Sequence, residues 1–485
     1  MFAHPRIYEI NTRVWLKQLS IRLNRQINLD NIPPQEWLKI RNLGCDWVWL
    51  MGVWQKSLIS QQLARQDSNL QIEYNKVLPD WCIEDIVGSP YAVKDYSLNY
   101  ELGDEDSLNY TKDILHHYGI KLMLDFVPNH TACDHHWVFE HPEYYIQQQE
   151  ENSITNLNIG NKYLAYGKDP NYAPWQDTLQ LNYFNLEARN ALILQLNKIA
   201  SFCDGVRCDM AMLVTNDIFA NTWKKELEEM EYTKPEEEFW CHAISQNKSN
   251  KPKFQFVAEC YWNTESMMQD QGFDFTYDKT LYDMLLDNNF QKINNFLNNQ
   301  SNPYKWLRFI ENHDEKRAML EFGEDRSKAA AILTSFLPGA WLLHQNQESG
   351  YKIKLPVQLV TQPQDEDNTK LAIFYRKVGG IINKIFSSNY QKLEVNIAGW
   401  DDNSSYLNLI CLAWQNNEST YIIVINYSDS QSQGKIFFTQ KDGVDKLCFF
   451  DLVTNKEYSY DSNKIKNEGL FVDLLPWQFH IFEIK

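Results

Sequence analysis

The chain has 485 residues, a hydrophobic share of 44% and a formal net charge of −18. That length exceeds one ordinary domain, and it suits a barrel of about 250 residues or more with a smaller domain attached. The acidic balance argues against nonspecific partners such as nucleic acid or an anionic membrane surface, and no run of about 18 apolar residues is present to span a bilayer.

Taken in chain order, short apolar runs alternate with amphipathic segments, the pattern of βα units around a parallel sheet. The start, Met1-Phe2-Ala3-His4-Pro5-Arg6, lacks a basic stretch, a long apolar stretch and a small-residue cleavage site. No secretion signal is predicted, and a cytoplasmic location is expected. Residues 7–15 read as a first strand, and 35–43 as a helix stopped by Gly44. Residues 45–53 (CDWVWLMGV), 120–127 (IKLMLDFV), 205–210, 254–260 (FQFVAEC), 273–276, 307–310 and 340–343 supply seven more strands. Eight strands with helical material between them predict a closed (β/α)₈ TIM barrel over residues 1–389.

Two connections are long, 53–120 and 129–181. The second is too long for a structureless loop and predicts an inserted subdomain after the third strand, at about 131–181. Its aromatic residues (Tyr144, Tyr145, Tyr163, Tyr166, Tyr172, Trp175) either form its own core or fold over the mouth of a cavity. Asn185 reads as a helix cap before Leu192, Leu196, Ile199 and Phe202 at helical spacing. Residues 224–253 are charged and polar and predict a surface excursion. From about residue 390 β-rich runs (421–427, 435–438, 479–484) and turn residues such as Asp442-Gly443 predict a C-terminal antiparallel β-sandwich over 390–485. Nine scattered cysteines, none in a CxxC pair, predict small core thiols in a reducing compartment.

Polar residues at the C-terminal ends of barrel strands face the active site of such folds. Here Asp125 ends the third strand, Arg207 and Asp209 the fourth, and Glu259 the fifth, while Asn312-His313-Asp314 follows the seventh. One such acid is ordinarily a capping or salt-bridged carboxylate. Carboxylates on four strands are another matter, because crowded anions raise one another's pKa and chemistry must require them. Glycoside cleavage does, with one carboxylate ionised and the other protonated. Arg207, two residues before Asp209, shares its face of the strand and is expected to keep it ionised. Glu259 has no adjacent cation in the sequence and is expected to keep its proton.

In these segments the chain resembles the α-amylase family of glycoside hydrolases. Asp125-Phe-Val-Pro-Asn129-His130, Gly205-Val-Arg207-Cys-Asp209, Ala258-Glu259 and Asn312-His313-Asp314 are similar to the family's four signature segments, in order. Tyr91-Ala-Val-Lys-Asp95-Tyr96, Gln180-Leu-Asn182-Tyr183 and Pro338-Gly339 support the match, which runs over about residues 1–385. The resemblance implies Asp209 as nucleophile, Glu259 as general acid/base and Asp314 as the carboxylate that binds sugar hydroxyls in the transition state. It implies that His130 and His313 hydrogen-bond the sugar at the cleavage subsite, that Tyr91 stacks under it and that Arg207 orients Asp209. Asp125, Asn129 and Asp95 are expected to be structural residues near the site.

The chain departs from many α-amylases at Met212 and Leu213, where those relatives carry Lys-His. This weakens the expectation of starch-type endo action and of calcium, for which Asn129 alone remains; no metal or cofactor is expected. Asp134-His135-His136 is not read as a metal site, because adjacent histidines on a strand point to opposite faces. Gln345-Asn346-Gln347-Glu348 after the eighth strand lines no recognisable subsite. The expected substrate is a small α-glucoside or α-gluco-oligosaccharide. A transglycosylase or isomerase of the same family is the alternative, followed by an inactive sugar-binding or transport-accessory protein. The oligomeric state is left open.

Overall fold

The computed structural model describes residues 4–287, 289–386, 389–439 and 445–484. The expected turn at Asp442-Gly443 and the first three residues lie outside them. Eight parallel strands close into a barrel: β1 (Arg6–Asn11), β2 (Trp47–Met51), β3 (Lys121–Phe126), β4 (Gly205–Cys208), β5 (Gln255–Ala258), β6 (Phe275–Tyr277), β7 (Trp306–Arg308) and β8 (Ala340–His344). Each pairs with its neighbours in chain order, and β8 returns to β1 with Trp341 opposite Arg6. Parallel strands covered on both faces read as continuous apolar runs, and WVWLM of β2 is wholly buried. Five of the nine cysteines (Cys45, Cys133, Cys203, Cys208, Cys260) are buried free thiols.

Register sets the height of the site. Arg207 on β4 lies opposite Asp125 on β3 and Val257 on β5. Beyond the strands the backbone stays tied: the Asp209 N–H donates to the Phe126 carbonyl at 2.9 Å, Glu259 to Cys208 at 3.0 Å and Ala211 to Glu259 at 2.9 Å.

The first strand is shorter than the sequence predicts. It ends at Asn11, whose side chain accepts from the Val14 N–H and caps the helix Thr12–Leu23. Val14, Trp15, Leu16 and Leu19 are the inward face of that helix, so their apolar character mimics a strand's continuation. The helix predicted at 35–43 spans Pro34–Asn42, and Gly44 follows with φ +88°. Any side chain there would meet Gly379 of the helix Thr369–Phe386, 2.8 Å from a Cβ at position 44. Asn185 caps Leu186–Phe202 as predicted. Residues 224–253 are not merely a surface excursion, since the helix Phe239–Asn250 buries Phe239 and Trp240 completely.

After β3 the insertion forms a five-stranded antiparallel sheet from His130–Ala132, Gln147–Gln148, Asn156–Ile159, Lys162–Gly167 and Trp175–Gln180. After the barrel come a six-stranded and a three-stranded antiparallel sheet, with Leu409, Val424, Ile436, Phe449, Val472 and Phe482 in one core. Trp414 Nε1 donates to the Phe336 carbonyl at 2.9 Å and so fastens this β region to the barrel. No described helix is long and apolar enough to cross a membrane.

Candidate active site

Arg207 is the centre of the site. Its side chain is 1% exposed and projects from β4 into the C-terminal mouth of the barrel. Nη1 donates to Asp209 Oδ1 at 2.8 Å and lies 3.4 Å from Asp125 Oδ1, while Nη2 donates to Glu259 Oε2 at 2.7 Å. Trp49 and Tyr91 rings lie 5.2 and 5.1 Å from the guanidinium carbon. One buried cation therefore serves three buried carboxylates. A rigid planar fork suits this role better than an ammonium would.

The sharing changes the electrostatics expected from the sequence. Glu259 does have a cation, and Arg207 does not belong to Asp209 alone. Neighbours in sequence concealed this, because the second guanidinium nitrogen reaches across to the next strand. Burial pushes Asp209 up to about 8, with the Glu259 and Asp125 anions adding to it and Arg207 opposing. Burial likewise raises Asp125 to about 6, against the pull of Arg207 and His313. Glu259 Oε2 also accepts from the Met210 N–H at 2.8 Å, and Oε1 accepts from the Tyr261 hydroxyl at 2.7 Å. Met210 holds that amide in place with φ +42°, an unfavourable conformation for a residue with a side chain. Trp240 supports the same turn by donating to the Ala211 carbonyl at 2.8 Å.

His313 follows β7 in a chain of charges. Its Nδ1 faces Glu9 Oε1 at 2.5 Å, and its Nε2 faces Tyr91 Oη at 2.7 Å and Asp314 Oδ2 at 3.0 Å. Burial works against a charged ring here, but Asp314 and Glu9 outweigh it and push His313 up to about 10. Glu9 is completely buried; burial opposes its ionisation, yet His313 and His344 hold it below its ordinary value. The imidazolium in turn holds Asp314 well below the usual carboxylate range, although Asp314 is 46% exposed.

His130, at the start of the inserted sheet, is buried, and burial lowers it to about 4, so it is a neutral ring at pH 7. It packs against Trp175 at 5.2 Å. Tyr91, His130, Trp175, Asp209, Glu259 and Asp314 all line one solvent-open cavity of about 380 Å³. Of the inserted aromatics only Trp175 lies in that lining, while Tyr145 and Tyr166 are buried within the insertion.

The remaining predicted residues lie outside the lining. Asn129 forms a reciprocal amide pair with Gln180, donating to Oε1 at 3.2 Å and accepting from Nε2 at 3.0 Å. Asp95 faces His136 Nδ1 at 3.9 Å. Asp125 sits beneath the pocket against Arg207. His135 and His136 do not point to opposite faces: the strand ends at Ala132, and their rings stack at 4.4 Å. Burial lowers His135 to about 3, and Asp134 caps Leu58 at 3.1 Å. Among the described residues no group of three or more His, Cys, Asp or Glu side chains is placed to hold a metal ion. Glu9, Met210, Asp177 and Tyr261 were not anticipated. Glu9 carried a signal, an acid in the otherwise apolar end of a barrel strand.

The model of the α-amylase catalytic domain matches residues 38–380. The chain belongs to the α-amylase family. It is 24% identical to an α-amylase of Haloarcula japonica over 272 residues, covering 54% of this chain and 36% of that one. It is 25% identical to α-amylase 3 of Dictyoglomus thermophilum over 273 residues, 51% of each. The chain thus spans between about a third and a half of these relatives. Among solved structures, a maltogenic α-amylase of Thermotoga neapolitana has the same fold with a TM-score of 0.69 and 19% identity, over 99% of this chain and 98% of that one. A debranching enzyme of Nostoc punctiforme matches with a TM-score of 0.64 and 15% identity over the full length of both.

Proposed function

We propose that this α-amylase-family chain cleaves α-glucosidic bonds of small α-glucosides or α-gluco-oligosaccharides with retention of configuration. The observation that carries the reading is Arg207 joining Asp209 and Glu259 in the floor of the cavity, with Asp314 on its wall. In the first step Asp209 Oδ attacks the anomeric carbon. The glycosidic C–O bond breaks, and Glu259 gives its proton to the departing oxygen. In the second step Glu259, now the base, takes a proton from water, whose oxygen attacks the same carbon and releases Asp209.

The resting site favours a proton on Asp209, which must be ionised to attack. Substrate supplies the correction. Positive charge developing at the anomeric carbon lies against Asp209 and, with the Arg207 guanidinium, favours its anion. The Asp314 carboxylate, held by the His313 imidazolium whose two ring nitrogens are taken by Glu9, Tyr91 and Asp314, is positioned to bind sugar hydroxyls, with neutral His130 beside it and Tyr91 under the ring. The open cavity and half-exposed Asp314 give water a path, which favours hydrolysis over transfer to a second sugar. The test is the anomer formed first from a maltooligosaccharide, read by proton NMR before mutarotation. An α-product is expected; a β-product would overturn the mechanism.

A further inference from the structure

The two oxygens of Glu259 are not equivalent. Oε2 accepts from Arg207 Nη2 at 2.7 Å and from the Met210 N–H at 2.8 Å, whereas Oε1 accepts from the Tyr261 hydroxyl alone, at 2.7 Å. Each carboxylate oxygen offers two lone-pair directions, so both of those on Oε2 are taken. A proton delivered to a leaving group must therefore ride on Oε1, on the one lone pair that Tyr261 leaves free.

The chain around Tyr261 is arranged to hold that hydroxyl in place. Tyr261 stands two residues beyond Glu259 and lines the catalytic cavity. Among the described residues its hydroxyl has no hydrogen-bond partner other than Glu259. Its carbonyl accepts from Thr264 twice, from Oγ1 at 2.6 Å and from the N–H at 3.2 Å. That turn forces Trp262 and Asn263 to φ +62° and +61°, a conformation costly for residues with side chains. The Trp262 ring is 43% exposed, so burial of Trp262 does not repay the strain. What the turn fixes is the direction of the Tyr261 phenol. Burial and the Glu259 and Asp314 carboxylates push that phenol well above its ordinary range, so it keeps its proton at any working pH.

We propose that Tyr261 is a positioning residue for Glu259 in the leaving-group step, orienting Oε1 and steadying the carboxylate left behind. As the glycosidic C–O bond breaks, the proton on Oε1 passes to the departing oxygen. The electron pair of that O–H bond stays on Oε1, and the Tyr261 O–H then bonds to an anion rather than to a neutral acid. A charge-assisted hydrogen bond is the stronger of the two, so the contribution of Tyr261 grows towards the transition state. The inference rests on the proposed role of Glu259 as the acid.

A pair of aryl α-glucosides tests it, because the sugar is constant while the need for a proton varies. Tyr261→Phe keeps the ring and removes the hydroxyl. On phenyl α-glucoside, whose leaving oxygen needs the proton, kcat/KM should fall about 10- to 100-fold, the worth of one hydrogen bond to a charged group. On dinitrophenyl α-glucoside, whose phenolate departs without a proton, the fall should stay below about threefold. In the Glu259→Gln background, adding Tyr261→Phe should leave the residual rate on the phenyl glucoside unchanged, since the effect runs through Glu259. Equal losses on both substrates would mean a merely structural role and overturn the inference. A loss on neither, or a further loss in the Glu259→Gln background, would overturn it too. Failure of the catalytic reading looks different: Glu259→Gln would then keep the unaltered protein's rate on the phenyl glucoside, and the inference would fall with it.

Discussion

Glu9→Gln isolates the charge that holds His313 as a cation. The ring stands at about 10 against an ordinary 6.5. That net shift of about 3.5 units, at 1.36 kcal/mol each, is ~5 kcal/mol by which its carboxylate partners outweigh the burial penalty. Asp314 and Glu9 share it. Asp314 is 46% exposed and screened by water, whereas Glu9 is wholly buried 2.5 Å from Nδ1, so about half belongs to Glu9. Glutamine keeps the shape and removes the charge, which predicts a loss of ~2 kcal/mol at pH 7. The sign follows from linkage. A histidine raised in the folded state contributes stability fully below its unfolded pKa and loses it as pH rises through the folded one. The difference between the two proteins should therefore persist from pH 5 to about 8 and close near pH 10. Urea unfolding at pH 7 and at pH 10 reads it, and the alkaline limb of kcat should move to lower pH in the variant. A stability loss of the same size at both pH values would refute the argument, because packing rather than charge would then explain it.

Asp209→Asn and Glu259→Gln should each lower kcat by at least ~10³-fold with the fold intact, checked by circular dichroism alongside turnover. Because burial raises Asp209 to about 8, its ionisation lowers folded-state stability progressively from pH 4 to 8. Asp209→Asn should thus raise the melting temperature by ~2 °C or more at pH 8 and leave it unchanged at pH 4, since Arg207 keeps Glu259 and Asp125 as partners. A chelator should leave the melting temperature unchanged: Asn129 is paired with Gln180, and Met212 and Leu213 are packed in the core. A large drop restored by calcium would contradict this. Across maltose, maltotriose and amylose of rising length, kcat/KM should climb over the first few units and then level off, whereas a steady climb would mark an open cleft.

All eight barrel strands were legible in the sequence because parallel strands buried on both faces are apolar without interruption. The strand ends were legible too, since Asp125, Arg207, Asp209 and Glu259 interrupt those runs. Boundaries were less so. Residues 14–16 are as apolar as a strand, and only the Asn11 cap, a three-dimensional fact, turns them into a helix. Phe239 and Trp240 were hidden in a charged stretch. The Arg207–Glu259 contact and the Glu9–His313 pair join residues 52 and 304 positions apart, and no local pattern encodes them. The stacking of His135 on His136 depends on a turn that the strand periodicity could not register.

The amides of Asp209, Ala211 and Glu259 continue the hydrogen bonding between β3, β4 and β5. The spacing of the Asp209 and Glu259 carboxyls is thereby inherited from the hydrogen-bonded barrel itself. Asp177 and Gln358, which line the same cavity, ride by contrast on the inserted sheet and on a loop after β8. The two sets of residues should therefore be separable by engineering. Grafting a foreign insertion between β3 and β4 would redirect which sugars are held while the bond-breaking geometry stayed put, and amide exchange should be slow at Asp209 and Glu259 in every such chimera.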